Sequence, residues 1–189
     1  LIGDRNRRGE VRVYPLTENH HVNGVLSVSL AISGNDQLQQ QAQQMFTAVA
    51  NQLNYVGVLA IEFFDVNGEL LVNEIAPRVH NSGHWTIEGA KTSQFEQHLR
   101  AILDLPLGDP SMVAPYAVMG NILGGEKTDM YRPYLHLMAR NPELKFHQYK
   151  KEVRPGRKIG HVTAVGSDLL QLTTDVQHAR DYMSGAIDE

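Results

Sequence analysis

The sequence predicts an α+β protein built on antiparallel sheet. Three observations carry this. Apolar runs of strand length recur at 25–32, 56–64 and 70–75. The last two flank Asn67-Gly68, a strong hairpin-turn signal. Leu38, Ala42, Met45, Phe46, Val49 and Leu53 recur at helical spacing and predict an amphipathic helix over 36–54.

The elements follow in order. Gly9 to Tyr14 alternates as a strand does and ends at Pro15. In the run 25–32, Val28, Leu30 and Ile32 share one face. Ser33-Gly34-Asn35-Asp36 supplies a turn and a helix start, and the Gln-rich stretch 37–44 is the wet side of that helix. After the hairpin, residues 76–87 form a loop rich in Pro, Asn, Ser and Gly. Phe95, Leu99, Ile102 and Leu103 mark a second helix over 89–104, stopped by Pro106. Pro106 to Pro115 reads as a linker, which divides the chain into domains at 1–108 and 116–189. The second part carries strands at 116–123, 144–149 and 161–165, a basic turn at 150–158 and a final helix at 168–183. It reads as a small α+β unit.

Composition narrows the function. With 189 residues, 42% of them hydrophobic, the chain can bury a core. A net charge of −4 gives no general reason to expect a nucleic-acid or membrane partner. The absence of cysteine excludes disulfides and thiolate metal sites. No apolar run approaches the ~20 residues of a membrane span. The first residues lack the apolar region of a signal peptide, and there is no initiator Met, as in an internal fragment or processed chain. The expectation is a soluble cytoplasmic protein.

The first chemical signal is a set of acids inside apolar strands: Glu62 in IEFF, and Asn73-Glu74 in LLVNEI. A charge there is costly to bury unless it is paired or meets a cation. Two carboxylates and an amide oxygen are hard ligands suited to magnesium. With a bare two-residue turn, Glu62 faces Asn73, and Glu74 points to the other side of the sheet. A three-residue loop pairs Asp65 with Glu69, puts Gly68 in a left-handed bulge, and brings Glu62 and Glu74 to one face. That loop, or another register of the same parity, is the expectation. The alternative is two rim glutamates on an exposed sheet.

The loop that follows packs Arg78, His80, Asn81, Ser82, Gly83 and His84 into a few residues. Loops held by a rigid sheet are where binding groups usually sit. Arg78 can clamp a phosphate or carboxylate. His80 can donate to an oxyanion or move a proton, and Gly83 lets backbone approach a ligand. His80 and His84 also have a zinc-like spacing. That spacing works on a helix, and Asn81-Ser82-Gly83 is poor helix material. His84 and Trp85 read as packing groups under the loop.

These residues resemble a known family. The run from Asn73 through Arg78, His80 and His84 to Thr86, with 93–101 after it and Lys151-Glu-Val-Arg-Pro-Gly-Arg-Lys-Ile-Gly-His161, is similar to the ATP-grasp carboxylate–amine ligases. Within them it resembles the N5-carboxyaminoimidazole ribonucleotide synthetases. Tyr14-Pro-Leu-Thr, His20-His21 and Gly24 share the likeness. The implied fold is the carboxyl-terminal half of an ATP-grasp domain followed by a small β-rich domain. The implied reaction carboxylates 5-aminoimidazole ribonucleotide with bicarbonate, using ATP and Mg2+, through carboxyphosphate. By resemblance, Glu62 and Glu74 hold magnesium, Asn73 and Glu74 contact nucleotide or metal, and His21 contacts the nucleotide. Arg78 and His80 serve the bicarbonate and substrate chemistry. A homodimer is likewise implied.

Charge counting adds support. Lys150, Lys151, Arg154, Arg157 and Lys158 are five of 17 basic residues within nine positions of an acidic chain. The resemblance assigns Lys151 and Arg154, with Arg157 and Lys158, to the substrate phosphate. A solvated surface turn is the alternative. The family's amino-terminal domain, phosphate-contacting lysines and glycine-rich lid have no counterpart in the sequence. Gly120-Asn-Ile-Leu-Gly124-Gly125 lacks the Lys-Ser/Thr of a phosphate loop. Taken alone, the chain is expected to bind ATP weakly and catalyse little. A formate-dependent glycinamide ribonucleotide transformylase, sharing the ATP-grasp carboxylates, is the nearest rival within the class. A non-catalytic anion-binding module is the rival outside it.

Overall fold

The computed structural model describes residues 1–32, 34 and 36–188. The expected turn at 33–36 therefore lies partly outside the described residues. Among the described residues, nine strands form two antiparallel sheets. The first sheet has the order β2 (Val11–Val13), β1 (Ile2–Arg5), β5 (Gly57–Val66), β6 (Glu69–Ala76). The second has the order β3 (Thr17–Val22), β4 (Val25–Ile32), β7 (Tyr116–Leu123), β9 (Lys158–Gly166), β8 (Lys145–Gln148).

Side-chain alternation stacks these into layers. On β5, Leu59 and Ile61 face helix α1 (Asp36–Gln52) and pack with Ala42, Phe46 and Ala50. Val58 and Ala60 face the opposite way, into a core with Trp85, Ala31, Ala117 and Met119 that joins the two sheets. The far face of the second sheet packs Val118, Ile122, Ile159 and Val162 against Leu137 of α4 (Tyr131–Arg140) and Val176, Ala179 and Met183 of α5 (Leu169–Ser184).

The linker 106–115 does not separate two sheets. β4, before it, pairs along five residues with β7, after it, from Val28↔Gly120 to Ile32↔Tyr116. The helix predicted over 89–104 forms only as α3 (Gln94–Ile102), and a separate single turn, α2 (Thr86–Gly89), begins inside the predicted loop 76–87. Ser93 separates them by capping α3, its side chain accepting from the Glu96 N–H. Strands β1 and β3 and helix α4 carry no apolar pattern strong enough to predict. β3 is a polar, exposed edge strand. In α4, Pro133 sits in the first turn, where its missing N–H costs no helical hydrogen bond.

The hairpin loop differs from the three-residue expectation. Val66 pairs with Glu69, so Asn67 and Gly68 form a two-residue turn, both in the left-handed region at φ 55° and 89°. The bulge lies elsewhere. Phe63 pairs with Val72 and Glu62 pairs with Glu74, which leaves Asn73 as the extra residue. Past it, side-chain parity on β6 reverses, and Glu74 stands directly opposite Glu62 on one face.

Candidate active site

The two carboxylates are the base of the site. Glu62 shares the face of Val58 and Ala60, and its side chain is 19% exposed. Glu74 on the edge strand is exposed. Among the described residues neither acid is paired with a Lys or Arg. The neighbour of Glu62 is His80, whose Nε2 lies 3.9 Å from Oε1.

His80 is held from three sides. Gln94, fully buried at the start of α3, accepts from the His80 backbone N–H at 2.9 Å. It donates to the His80 carbonyl at 2.7 Å. The Ser82 N–H donates to His80 Nδ1 at 3.4 Å, and the Ser82 hydroxyl lies 2.9 Å from the same atom. With Nδ1 accepting, the neutral ring carries its proton on Nε2, facing Glu62. Burial pulls the His80 pKa below the usual imidazole value. Glu62 opposes that and Arg78 adds to it. Gly83 is required here, since a Cβ would meet Ile2 Cδ1 at 2.2 Å and Gln94 Oε1 at 2.7 Å.

The zinc-like spacing of His80 and His84 gathers no third ligand. No cluster of three His, Cys, Asp or Glu able to hold a metal occurs among the described residues. Residues 81–83 form one 3-10 turn, and His84 Nδ1 lies 3.2 Å from Gln94 Nε2. His84 packs under the loop, stacked on Phe95 with centroids 5.6 Å apart.

The basic segment reaches this loop. Lys158 donates a hydrogen bond to Asn81 Oδ1. Lys151 and Lys158 place their ammonium groups 5.6 and 5.4 Å from the ring centroid of Tyr149. Burial pushes Lys158 down to about 8, helped by Lys151. Arg154 and Arg157 make their contacts with Glu152 instead. Arg154 is exposed and ion-paired with Glu152 at 2.6 Å, and Arg157 donates to the Glu152 carbonyl. The Pro155-Gly156 turn is pinned to the end of β7 by Gly124, whose N–H donates to the Arg157 carbonyl at 2.8 Å. A Cβ on Gly124 would meet the Arg154 carbonyl at 2.5 Å, so this glycine serves close packing.

A cleft of about 590 Å³ opens between β3–β4 and the β5–β6 hairpin. His21, Glu62 and Asn73 line it, with Leu30, Ile32 and Phe64 among its apolar walls. Glu74, Arg78 and His80 are not among its lining residues. Arg78 is exposed, with Nη1 donating to the Val79 carbonyl. Sequence reasoning missed Gln94, Tyr149, His161 and the link from Asn81 to Lys158. Gln94 carries no sequence signal beyond its place after the Ser93 cap, and the others meet only through the folded sheet.

Comparison with known proteins agrees with this architecture. Residues 1–95 match the ATP-grasp domain model, and residues 117–175 match the phosphoribosylaminoimidazole carboxylase C-terminal domain. The chain is 57% identical over 166 residues to an N5-carboxyaminoimidazole ribonucleotide synthase of Vibrio vulnificus, covering 88% of this chain and 42% of that protein. The crystal structure of N5-carboxyaminoimidazole ribonucleotide synthetase from Thermus thermophilus is similar with a TM-score of 0.83 at 44% identity. That match covers 100% of this chain and 50% of the other. The synthase from Aspergillus clavatus, in complex with ADP and 5-aminoimidazole ribonucleotide, is similar with a TM-score of 0.85 at 32% identity, covering 96% and 50%. The chain thus spans about half the length of the relatives it matches. With residues 1–95 matching the ATP-grasp domain and relatives at 44–57% identity over most of its length, the chain belongs to the ATP-grasp family.

Proposed function

We propose that the chain forms the metal and substrate side of a site that carboxylates 5-aminoimidazole ribonucleotide at the expense of ATP. In this reading ATP phosphorylates bicarbonate to carboxyphosphate. The exocyclic amine of the ribonucleotide then takes up the carboxyl group, giving N5-carboxyaminoimidazole ribonucleotide, ADP and phosphate. One observation carries the reading: Glu62 and Glu74 are opposed on one face beside His80, and the same loop holds Lys158 through Asn81.

The donor set fits magnesium. Two opposed carboxylates, with no Lys or Arg paired to them among the described residues, are hard oxygen ligands, and Glu62 and Glu74 would hold the ion. Bound there, it would draw charge from the transferring phosphoryl group. His21 and Asn73 line the cleft and contact the nucleotide. His80 presents its Nε2 proton as a donor to an oxyanion, a role its lowered pKa and its Nδ1 contacts favour over proton abstraction. Arg78 meets the bicarbonate or carboxyphosphate anion. Lys151 and Lys158 receive the ribose phosphate, with Arg154 and Arg157 at the rim.

The stretches 1–108 and 116–189 serve this site as two domains joined through one sheet. The proposal places the protein in the cytoplasm as a homodimer. No helix is long and apolar enough to cross a membrane. Alone, the chain binds ATP–magnesium weakly and turns over little.

Calorimetry tests this. The ribonucleotide should bind, and changing Lys151 and Arg154 together to Ala should abolish binding. Equal affinity for any polyanion would overturn the reading. Adding a separately made amino-terminal half of a relative should restore bicarbonate-dependent ADP release.

A further inference from the structure

Behind the two lysines stands a column of rings that the reading above leaves unused. His84 stacks on Phe95 and lies 4.9 Å from His161, with 32° between the planes. His161 in turn stacks on His147, centroids 4.4 Å apart and planes at 12°. At the far end His147 Nε2 lies 2.6 Å from Glu88 Oε1 of α2. To the side, the Tyr149 hydroxyl lies 2.6 Å from His161 Nδ1.

The column gives the Tyr149 hydroxyl a fixed partner. Burial, with His84, His147 and Lys158 adding to it, pushes His161 down to about 2, so its ring is neutral. Burial pushes the Tyr149 phenol up to about 12, so it keeps its proton. A protonated phenol and a neutral imidazole share one hydrogen bond here, the Tyr149 hydroxyl donating or accepting according to the His161 tautomer. The phenol ring is thereby tied at its tip. Its π-face attracts the ammonium groups of Lys151 and Lys158, which offsets their mutual repulsion.

We propose that Tyr149 is a positioning residue of the anion pocket: its ring spaces the ammonium groups of Lys151 and Lys158 to receive a phosphate, and His161 fixes that ring through the hydroxyl. The inference rests on the anion-pocket reading above. It adds that the histidine column, anchored on α2 by Glu88, ties the phosphate end of the pocket to the loop that carries His80.

The test is calorimetry on this chain with ribose 5-phosphate and with 5-aminoimidazole ribonucleotide. Tyr149→Phe keeps the ring and removes the tether. His161→Leu removes the hydroxyl's partner. Each should weaken both ligands by about threefold to tenfold, the worth of one hydrogen bond. The double variant should be no worse than either single one. His161→Asn, which keeps a polar atom near the place of Nδ1, should recover part of the loss. Val176→Ala, a core truncation in α5 against the far face of the second sheet, should lower thermal stability without changing affinity.

A wild type that binds while Tyr149→Phe binds equally well overturns this proposal alone. Additive losses, or an equal loss in Val176→Ala, overturn it too. A wild type that binds neither ligand overturns the anion-pocket reading and this inference with it. Should Tyr149→Phe fail to fold, the wild type decides: ribose 5-phosphate must shift the His161 side-chain nitrogen resonances, and unchanged resonances overturn the proposal.

Discussion

The ammonium group of Lys158 donates to the side-chain oxygen of Asn81, 77 residues earlier in the chain. This contact joins the start of β9 to the loop after β6, and with them the basic segment to the histidine loop. It also leaves Lys158 half-buried, which sets how its charge responds to pH.

Burial, and then Lys151, push Lys158 down to about 8 by disfavouring its ammonium form. The charge is present below that pH and lost above it. Ribose 5-phosphate affinity should therefore fall between about pH 7 and 9, a range in which the ligand itself stays a dianion. Lys158→Arg should remove the fall, because a guanidinium keeps its proton throughout. A calorimetric pH series on both proteins checks this.

Asn73 should matter as a side chain of the cleft more than as an inserted residue. Deleting it would close the bulge and leave Glu74 opposite Glu62, because Val72 already pairs with Phe63. The deletion and Asn73→Ala should therefore weaken magnesium-dependent nucleotide binding by similar amounts, on the order of the tenfold that loss of support around a metal site costs. Nucleotide binding at fixed and at zero magnesium checks both variants.

Asp4 lies fully buried in β1, and among the described residues neither carboxylate oxygen has a hydrogen-bond partner. Burial raises its pKa. Folding therefore takes up a proton as pH rises past the unfolded value, so stability declines with pH across that window. Asp4→Asn should stabilise the chain at pH 7 by on the order of 1–3 kcal/mol. The gain should vanish in acid, where the wild-type carboxyl is protonated. Urea melts at pH 7 and pH 4 measure both.

The histidine column has the opposite sign. Burial pushes His84 down to about 4 and His161 down to about 2. The unfolded chain protonates these rings below about pH 6.5, and the folded chain resists. Their contribution is whole above that pH and is lost as pH falls toward 4. His84→Gln should flatten the acid side of the stability profile, read as the midpoint of thermal unfolding from pH 7 to 4.

Much of the fold was legible because it rests on local pattern. The runs at 25–32 and 116–123 became β4 and β7 with the same bounds. Helices over 36–54 and 168–183 needed only small adjustment at their ends. Parity between Glu62 and Glu74 was also legible, but its cause was not. A bulge is one residue of slippage settled by cross-strand pairing, and Val72-Asn73-Glu74 reads as plain strand. The short β1 hides behind Gly3 and Asp4, and α4 behind Pro133. In the site, the acids and the basic segment announce themselves by charge in unusual surroundings. Gln94, Tyr149 and His161 do not, because each acquires its role from a neighbour brought close only by folding.

The hydrogen-bond ladder between β4 and β7 has a consequence for taking the molecule apart. The border between the two matched family regions crosses the middle of a sheet, so neither block can be exchanged for a relative's without also matching a strand edge. A protease cut within 106–115 should leave a nicked protein that elutes as one species. Chimaeras joined in that stretch should succeed only when both donors present compatible faces to the shared seam.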